Sequence, residues 1–159
     1  MREFAINIVA AFAYASIDSS FTMLNVLAGF GIGFAAIVIA QGIFGGTRYL
    51  RRAIAWVKLI IMFHYELIIS SFEVGVDILT PKHRARPAII NMPLDVKSDL
   101  DILLVSNLIT LTPGTLSLDI SEDRCTLRVH AMFADDPDAL CASLKGGMER
   151  WVYDAVEAP

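Results

Sequence analysis

The chain has 159 residues, of which 55% are hydrophobic and only 19% are charged, whereas soluble domains average about 25% charged residues. The net charge of −4 and the lack of a basic stripe interleaved with aromatic residues argue against a nucleic-acid-binding protein. Residues 1–80 contain five basic and five acidic side chains, and residues 81–159 contain eight and twelve. This asymmetry argues against a single soluble globule and predicts a membrane half followed by a small polar domain.

The first apolar stretch, Phe4–Ile17, is 14 residues long and admits two interpretations. Arg2 and the small residues Ala13-Tyr14-Ala15 imitate a signal peptide with its cleavage site. However, Glu3 weakens the positive N-terminal region, and a second apolar stretch follows almost at once. We therefore interpret Asp18-Ser19-Ser20 as the tight turn of a helical hairpin.

The second stretch, Phe21–Phe44, has 24 residues and no charge, which predicts a membrane-spanning helix because about 20 apolar residues cross a bilayer. Gly29 and Gly33 have the small-xxx-small spacing that lets membrane helices approach closely. The alternative is that glycine is simply common in such helices. The Gly29–Gly33 run does not match a dinucleotide-binding loop in spacing or setting.

The third stretch begins near Ala53, fades between Ser70 and Leu79, and carries a polar side. At about 100° per residue, its polar residues fall within an arc of roughly 120°. Such a helix either lies in the headgroup region or spans with its polar side against partner subunits. The candidate polar membrane face consists of Lys58, Glu66, Glu73 and Asp77.

The basic clusters bear on how many stretches span. One cluster lies at residues 48–52 and another at residues 82–86, after the second and third stretches respectively. If only the first two stretches span, both clusters lie on the cytoplasmic side, as the positive-inside rule favours. We therefore favour a spanning hairpin followed by an amphipathic helix, with three spanning helices as the alternative.

Residues 81–87 predict a basic, proline-bounded linker, and residues 88–159 a cytoplasmic α+β domain with five basic and twelve acidic residues. Alternating apolar residues indicate strands, and helical spacing indicates helices between them. The predicted order is β-α-β-β-α, which suits a small sheet with helices on one face. The predicted elements are a strand over Ala88–Val96, a helix N-capped by Ser98 and ending before Pro113-Gly114, a hairpin of Thr115–Ile120 and Cys125–Met132 around the turn Ser121–Arg124, and a helix from Asp135-Asp136-Pro137 to about Ala155.

No pattern of catalytic or metal-binding residues is present in the sequence. Cys125 and Cys141 lie far apart without metal-ligand spacing. His64, His83 and His130 have no nucleophile pattern or second ligand nearby, so we interpret them as structural or incidental. The sequence predicts neither an enzyme nor a cofactor.

Residues 107–121, Asn-Leu-Ile-Thr-Leu-Thr-Pro-Gly-Thr-Leu-Ser-Leu-Asp-Ile-Ser, closely resemble the most distinctive stretch of the E-type subunits of the multisubunit cation/proton antiporters, the Mrp (or Mnh/Pha) family. Residues 86–87, 93–99 and 127–132 match as flanks, and the similarity covers nearly the whole chain. One departure is Phe133, since members commonly have an acidic residue there. The family-like motif includes Asn107, Thr110, Thr112, Pro113, Gly114, Thr115 and Asp119.

The resemblance implies an accessory subunit in a prokaryotic plasma membrane, within a complex that exchanges Na⁺ or K⁺ for protons. The other antiporter subunits and membrane lipid are then its partners, and the large subunits carry the main ion pathways. Two functions follow: support of assembly and stability, or a direct part in ion passage through Glu66 or Glu73. A third possibility, a stand-alone regulatory membrane protein, requires that no antiporter subunit binds it.

Overall fold

The computed structural model describes residues 2–17, 21–43, 46, 48–81 and 84–157. The described chain divides into two compact units, one up to Ile54 and one beginning at Ala55. This division lies earlier than the predicted linker at residues 81–87, because Leu59 belongs to the same buried apolar cluster as Ile90 and Met92. The predicted turn at residues 18–20, Lys82 and His83 lie outside the described residues.

In the first unit, helices α1 (Arg2–Ile17) and α2 (Met23–Ile43) pack side by side. The Thr22 hydroxyl accepts a hydrogen bond from the backbone N–H of Asn25 at 3.2 Å, which satisfies one of the free donors at the start of α2. A third helix, α3 (Arg48–Leu79), begins in this unit and continues into the next.

Among the described residues, the helices long and apolar enough to cross a membrane are α2 and α3. This pair differs from the favoured pair, the first and second stretches. The reason is length: α1 has 16 residues, fewer than the roughly 20 that a bilayer requires, whereas α3 has 32. The coarser prediction, a helical N-terminal region followed by a small β-sheet domain, is confirmed.

The second unit contains most of α3, from Ala55 onwards, and an antiparallel sheet with strand order β1-β3-β2. Its helices and strands follow the predicted β-α-β-β-α order, with one π-helical turn inside the last helical segment. The elements are β1 (Ala88–Pro93), α4 (Asp99–Leu111), β2 (Thr115–Ile120), β3 (Thr126–Ala131), α5 (Pro137–Leu144), the π turn (Lys145–Glu149) and α6 (Arg150–Val156).

The capping residues act as the sequence indicates. Ser98 accepts from the backbone N–H of Asp101 at 3.2 Å at the start of α4, and Asp136 caps α5 directly before Pro137. The first strand ends at Pro93, earlier than predicted, because the N–H groups of Asp95 and Val96 donate to a carboxylate outside the sheet.

One face of the sheet forms the core. Buried side chains of β1 and β3 pack with buried side chains of α4, the π turn and α6, so the helices cover one face of the sheet, as predicted. The central members are Ile90, Met92, Val105, Ile109, Leu127, Val129, Met148 and Val152. The other face carries alternate residues such as Ile89 and Leu116, which are exposed.

Candidate functional site

The predicted polar face of α3 is divided between solvent and the protein interior. Lys58 and Glu73 are exposed, Glu66 is half-buried, and Asp77 is only 3% exposed. Leu59, on the same side of the helix, belongs to the apolar core of the second unit. The rest of the second unit therefore covers this side of α3 at Leu59 and Asp77 and leaves it open at Lys58 and Glu73.

Asp77 has a structural role in this arrangement. Its carboxylate Oδ1 accepts a hydrogen bond from the backbone N–H of Arg84, in the segment that leads into β1. A buried carboxylate needs such a partner because its desolvation is costly. Ser70, one turn below Glu73, donates its hydroxyl to the Glu66 carbonyl at 2.5 Å, so this hydroxyl is occupied within the helix.

The family-like motif forms the joint between α4 and the hairpin. The Thr115 hydroxyl donates to the Ile109 carbonyl at 2.6 Å, and the Thr112 hydroxyl donates to the Leu108 carbonyl at 2.8 Å. Gly114 adopts φ +88°, which glycine tolerates without steric cost, and its carbonyl accepts from the Met132 N–H at 2.7 Å. These contacts satisfy the carbonyls at the end of α4 and join it to β2 and β3.

Three further motif residues, Asn107, Thr110 and Asp119, line an open groove of about 400 Å³ between α4 and β2. Thr110 accepts from the Ser117 N–H at 3.2 Å, and Asp119 accepts from the Ile120 N–H at 2.9 Å, beside an irregularity in the β2–β3 register. Asn107 is exposed on the groove wall. Within the described ranges, no three His, Cys, Asp or Glu residues are grouped to hold a metal ion.

The two glycines singled out for helix packing lie where α2 meets α1. Gly29 and Gly33 are both buried. A Cβ on Gly29 would stand 2.8 Å from the Ala11 carbonyl oxygen, and a Cβ on Gly33 would overlap Oδ1 of Asn7. The close approach of these helices therefore requires residues without side chains at both positions.

Two buried polar clusters were not predicted. Asn7, fully buried in α1, donates to the Tyr49 hydroxyl at 3.0 Å. Glu149, 3% exposed in the π turn, accepts from the N–H groups of Asp95 and Val96. The sequence signal for the first cluster was an asparagine within an apolar stretch. No local sequence pattern indicated that Glu149 is buried.

Glu157, directly after α6, carries a perturbed carboxyl group. A hydrogen bond with Asp101 raises the pKa of Glu157, partial desolvation and the negative charge of Asp101 raise it further, and Lys97 opposes the shift. This pKa is higher in the folded than in the unfolded state. The protonated Glu157 carboxyl therefore makes its full contribution to the free energy of unfolding below the unfolded-state pKa. This contribution is lost as pH rises through the folded pKa.

We therefore expect Glu157→Gln, an uncharged mimic of the protonated acid, to raise the melting temperature at pH 8. The difference from the parent should vanish below the ordinary glutamate pKa of 4.5. Thermal unfolding of the detergent-solubilised chain between pH 4 and 8 measures this, with the exposed turn residue Glu122→Gln as control. Equal melting temperatures of parent and Glu157→Gln at pH 8 would contradict the expectation.

Comparison with known proteins places these features in a family. The family model of the Na⁺/H⁺ ion antiporter subunit matches residues 7–155. The chain is 29% identical to the E-type subunit of the Na⁺/H⁺ antiporter of Alkalihalophilus pseudofirmus and 32% identical to the E1-type subunit of Staphylococcus aureus, each over 155 residues and 98% of both chains.

A solved structure supports the same assignment. A chain of the Mrp complex from Dietzia sp. DQ12-45-1b is 32% identical, with a TM-score of 0.51, over 65% of this chain and 96% of that one. The resemblance seen in residues 107–121 is thus confirmed by family model, relatives and structure together. The chain belongs to the Na⁺/H⁺ ion antiporter subunit family, among the E-type subunits of the Mrp antiporters.

Proposed function

We propose that this chain is an accessory subunit that supports the assembly and stability of a membrane complex exchanging Na⁺ or K⁺ for protons. Its partners are the other subunits of the antiporter. This is supported by the names of its relatives, each one subunit of a Na⁺/H⁺ antiporter, and by the Dietzia chain, which was solved as part of an Mrp complex.

The main support for the assembly role is that the helices offer few titratable groups that are not already bonded within the chain itself. Helix α2 has no ionisable side chain between Met23 and Ile43, although a proton path through a membrane normally uses titratable groups. Asp77, the most buried carboxylate of α3, is bound by the Arg84 backbone. Neither α2 nor Asp77 thus offers a titratable group that is open to an ion route.

A second candidate function is direct participation in ion passage through Glu66 or Glu73. The exposure of Glu73 and the half-exposure of Glu66 favour it, because both carboxylates are accessible to a neighbouring subunit. In this alternative the two glutamates, spaced by two helical turns, line a route between subunits.

The location follows the charge distribution. We place the chain in the prokaryotic plasma membrane with the α+β domain in the cytoplasm. The basic residues after α2, including Arg48 and Arg51, support this side because cytoplasmic loops are enriched in Lys and Arg. The acidic composition of residues 88–159 also suits contact with basic partner loops more than with anionic lipid.

The double substitution Glu66→Gln/Glu73→Gln separates the two functions. If the role is assembly, we expect the tagged variant to recover the large antiporter subunits in normal amount and to keep exchange within about twofold of the parent. Exchange is measured as cation-dependent dissipation of a pH gradient in inverted membrane vesicles.

The control is Asp77→Ala, which removes the acceptor of the Arg84 N–H. It should lower the amount of assembled complex without changing the exchange rate per complex, and Asp77→Asn, which retains an acceptor oxygen, should lower it less. A normal amount of complex with lost exchange in the double glutamate variant would overturn the assembly role in favour of the ion route.

A further inference from the structure

Helix α3, from Ala55 onwards, has two opposite faces with different surroundings. One face contacts the α+β part of the same unit: Leu59 lies in its core, and Val74 Cγ2 lies 3.7 Å from the point where a Cβ would stand on Gly114. The opposite face is apolar and exposed over its whole length. It includes Ile61, Ile68, Phe72 and Leu79.

The two contacts are far apart along the helix. Leu59 and Val74 are separated by 15 residues, which corresponds to about 22 Å at 1.5 Å per residue. Asp77, one turn further, is bound to the backbone of Arg84. The α+β part therefore lies beside α3 over a length close to the roughly 30 Å thickness of the hydrocarbon core.

This packing is incompatible with a spanning α3. If α3 crossed the bilayer, the α+β part beside it would enter the hydrocarbon. That part carries exposed ions, among them the Arg86–Asp135 pair, whose side chains are 78% and 72% exposed. It also has a sheet whose outer strands β1 and β2 each pair on one side with β3. Charges and open strand edges are not tolerated at that depth.

We infer that α3 from Ala55 to Leu79 lies in the plane of the membrane, with its apolar face in the lipid of one leaflet and the α+β part on the aqueous side. Amphipathic helices of this kind bury the apolar face about 5–10 Å into the headgroup and acyl boundary. The apolar surface is about 38 Å long at 1.5 Å per residue. Lipid covers this face along the entire helix.

A charged residue at a margin of the apolar face fits this placement. By the helical spacing of about 100° per residue, Lys58 lies where the apolar face meets the polar side, and it is exposed. A lysine reaches from such a margin to the headgroups. The inference uses membership of a membrane complex and does not depend on the assembly role.

Spin labels test the inference in the assembled antiporter complex, reconstituted in vesicles of phosphatidylethanolamine and phosphatidylglycerol. In a Cys125→Ser/Cys141→Ala background, single cysteines replace the apolar residues of the outer face, and power saturation with oxygen and a nickel chelate reports their depth. The variants are Ile61→Cys, Ile68→Cys, Phe72→Cys and Leu79→Cys. Recovery of complex by co-purification shows that each variant is folded.

We expect these four labels to lie at one shallow depth, within about 5 Å of each other, as for interfacial helices. Exposed positions of α2 are the matched control, because a spanning helix gives a graded profile. On α2, labels are placed at Leu24, Ile32 and Ile39. The label at Ile32 should be the deepest of the three, about 12 Å deeper than the label at Leu24.

Sidedness gives an independent measurement. Lys58→Cys and Pro81→Cys, both at exposed positions, should react with a membrane-impermeant maleimide from the same side of the vesicles. Reaction from opposite sides, or a depth profile with its maximum near Ile68, would overturn the inference by showing that α3 spans. Labels with high accessibility to the nickel chelate and no increased accessibility to oxygen would place the apolar face in water. Labels closed to both reagents would place it against a neighbouring subunit, and either result also overturns the inference.

Discussion

Replacing Glu149 with alanine is expected to lower the free energy of unfolding of the α+β part by about 4 kcal/mol, since each hydrogen bond to a charged group contributes roughly 1.5–3 kcal/mol. The Glu149 carboxylate accepts from the Asp95 N–H at 2.6 Å and from the Val96 N–H at 3.1 Å. These donors belong to the segment between β1 and α4. Without the carboxylate, the buried Val96 N–H has no acceptor there.

The surrounding charges do not replace this carboxylate. Lys145 Nζ lies 3.9 Å from the other Glu149 oxygen but is also held by Asp95 at 2.9 Å and by the Pro93 carbonyl at 2.8 Å. In the alanine variant, Lys145 keeps these two partners while the backbone donors lose theirs. The effect is therefore expected in the backbone of the β1–α4 segment, not in the surface ion pair.

Chemical denaturation of the detergent-solubilised chain measures the effect through the fluorescence of Trp151, in a Trp56→Phe background. Glu149→Gln, which keeps an acceptor oxygen but loses the charge, should cost about 1–2 kcal/mol, because neutral hydrogen bonds are weaker. Glu122→Ala, in the exposed hairpin turn, is the control and should leave stability unchanged. Equal stability of the Glu149→Ala and Glu122→Ala variants would show that the carboxylate has no such role.

Gly29→Ala should destabilise the packing of α1 against α2 by about 2 kcal/mol, within the range measured for overpacked interiors. The new Cβ would stand 2.8 Å from the carbonyl oxygen and 3.0 Å from the Cα of Ala11. Both atoms belong to the backbone of α1, so no side-chain rotation relieves the contact. The two helices have to move apart, which weakens the dispersion contacts that hold helices together in lipid.

Gly31→Ala is the matched control, because nothing lies within 4 Å of the Cβ it would add. Alanine is the better helix former by roughly 1 kcal/mol, so this variant should be as stable as the parent or slightly more so. Energy transfer between fluorophores at the exposed positions Val9 and Ile32 follows helix separation during SDS titration. An identical midpoint for the two alanine variants would refute the close-packing role of Gly29.

Gly33 leaves room for a polar side chain in the same interface. A Cβ at this position would overlap Oδ1 of Asn7, whose Nδ2 donates to Tyr49. In a chain that lies in lipid, a buried hydrogen bond between helices avoids the cost of an unsatisfied polar group. The small residues of α2 thus have two roles. They allow the backbones of α1 and α2 to approach closely, and they leave space for one polar side chain of α1.

Most local elements were predictable from the sequence because their causes are local. The uncharged run within residues 21–44 predicted α2, alternation of apolar residues predicted β2 and β3, and the cap at Ser98 marked the start of α4. The predicted end of α4 before Pro113-Gly114 is confirmed, and the structure places Thr112 and Thr115 at the last carbonyls of α4.

Other features follow from contacts between residues far apart in the chain. The early end of β1 depends on Glu149, which lies 53 residues after Val96, and no local pattern in residues 88–96 contains that information. The π turn at Lys145–Glu149 interrupts a segment whose composition predicted one continuous helix. In the first case, the position of one buried carboxylate from a distant part of the chain decides where the strand ends.

The sequence by itself determined the family, the two-part organisation of the chain, and the fact that α3 has a polar and an apolar side, because composition, motif and helical period are properties of the sequence order. Only the tertiary structure decided what each side of α3 contacts. Leu59, Val74 and Asp77 face the α+β part, while the apolar side remains uncovered by the second unit. A helical period orders side chains around an axis, but the surroundings of each face depend on which distant segments pack against it.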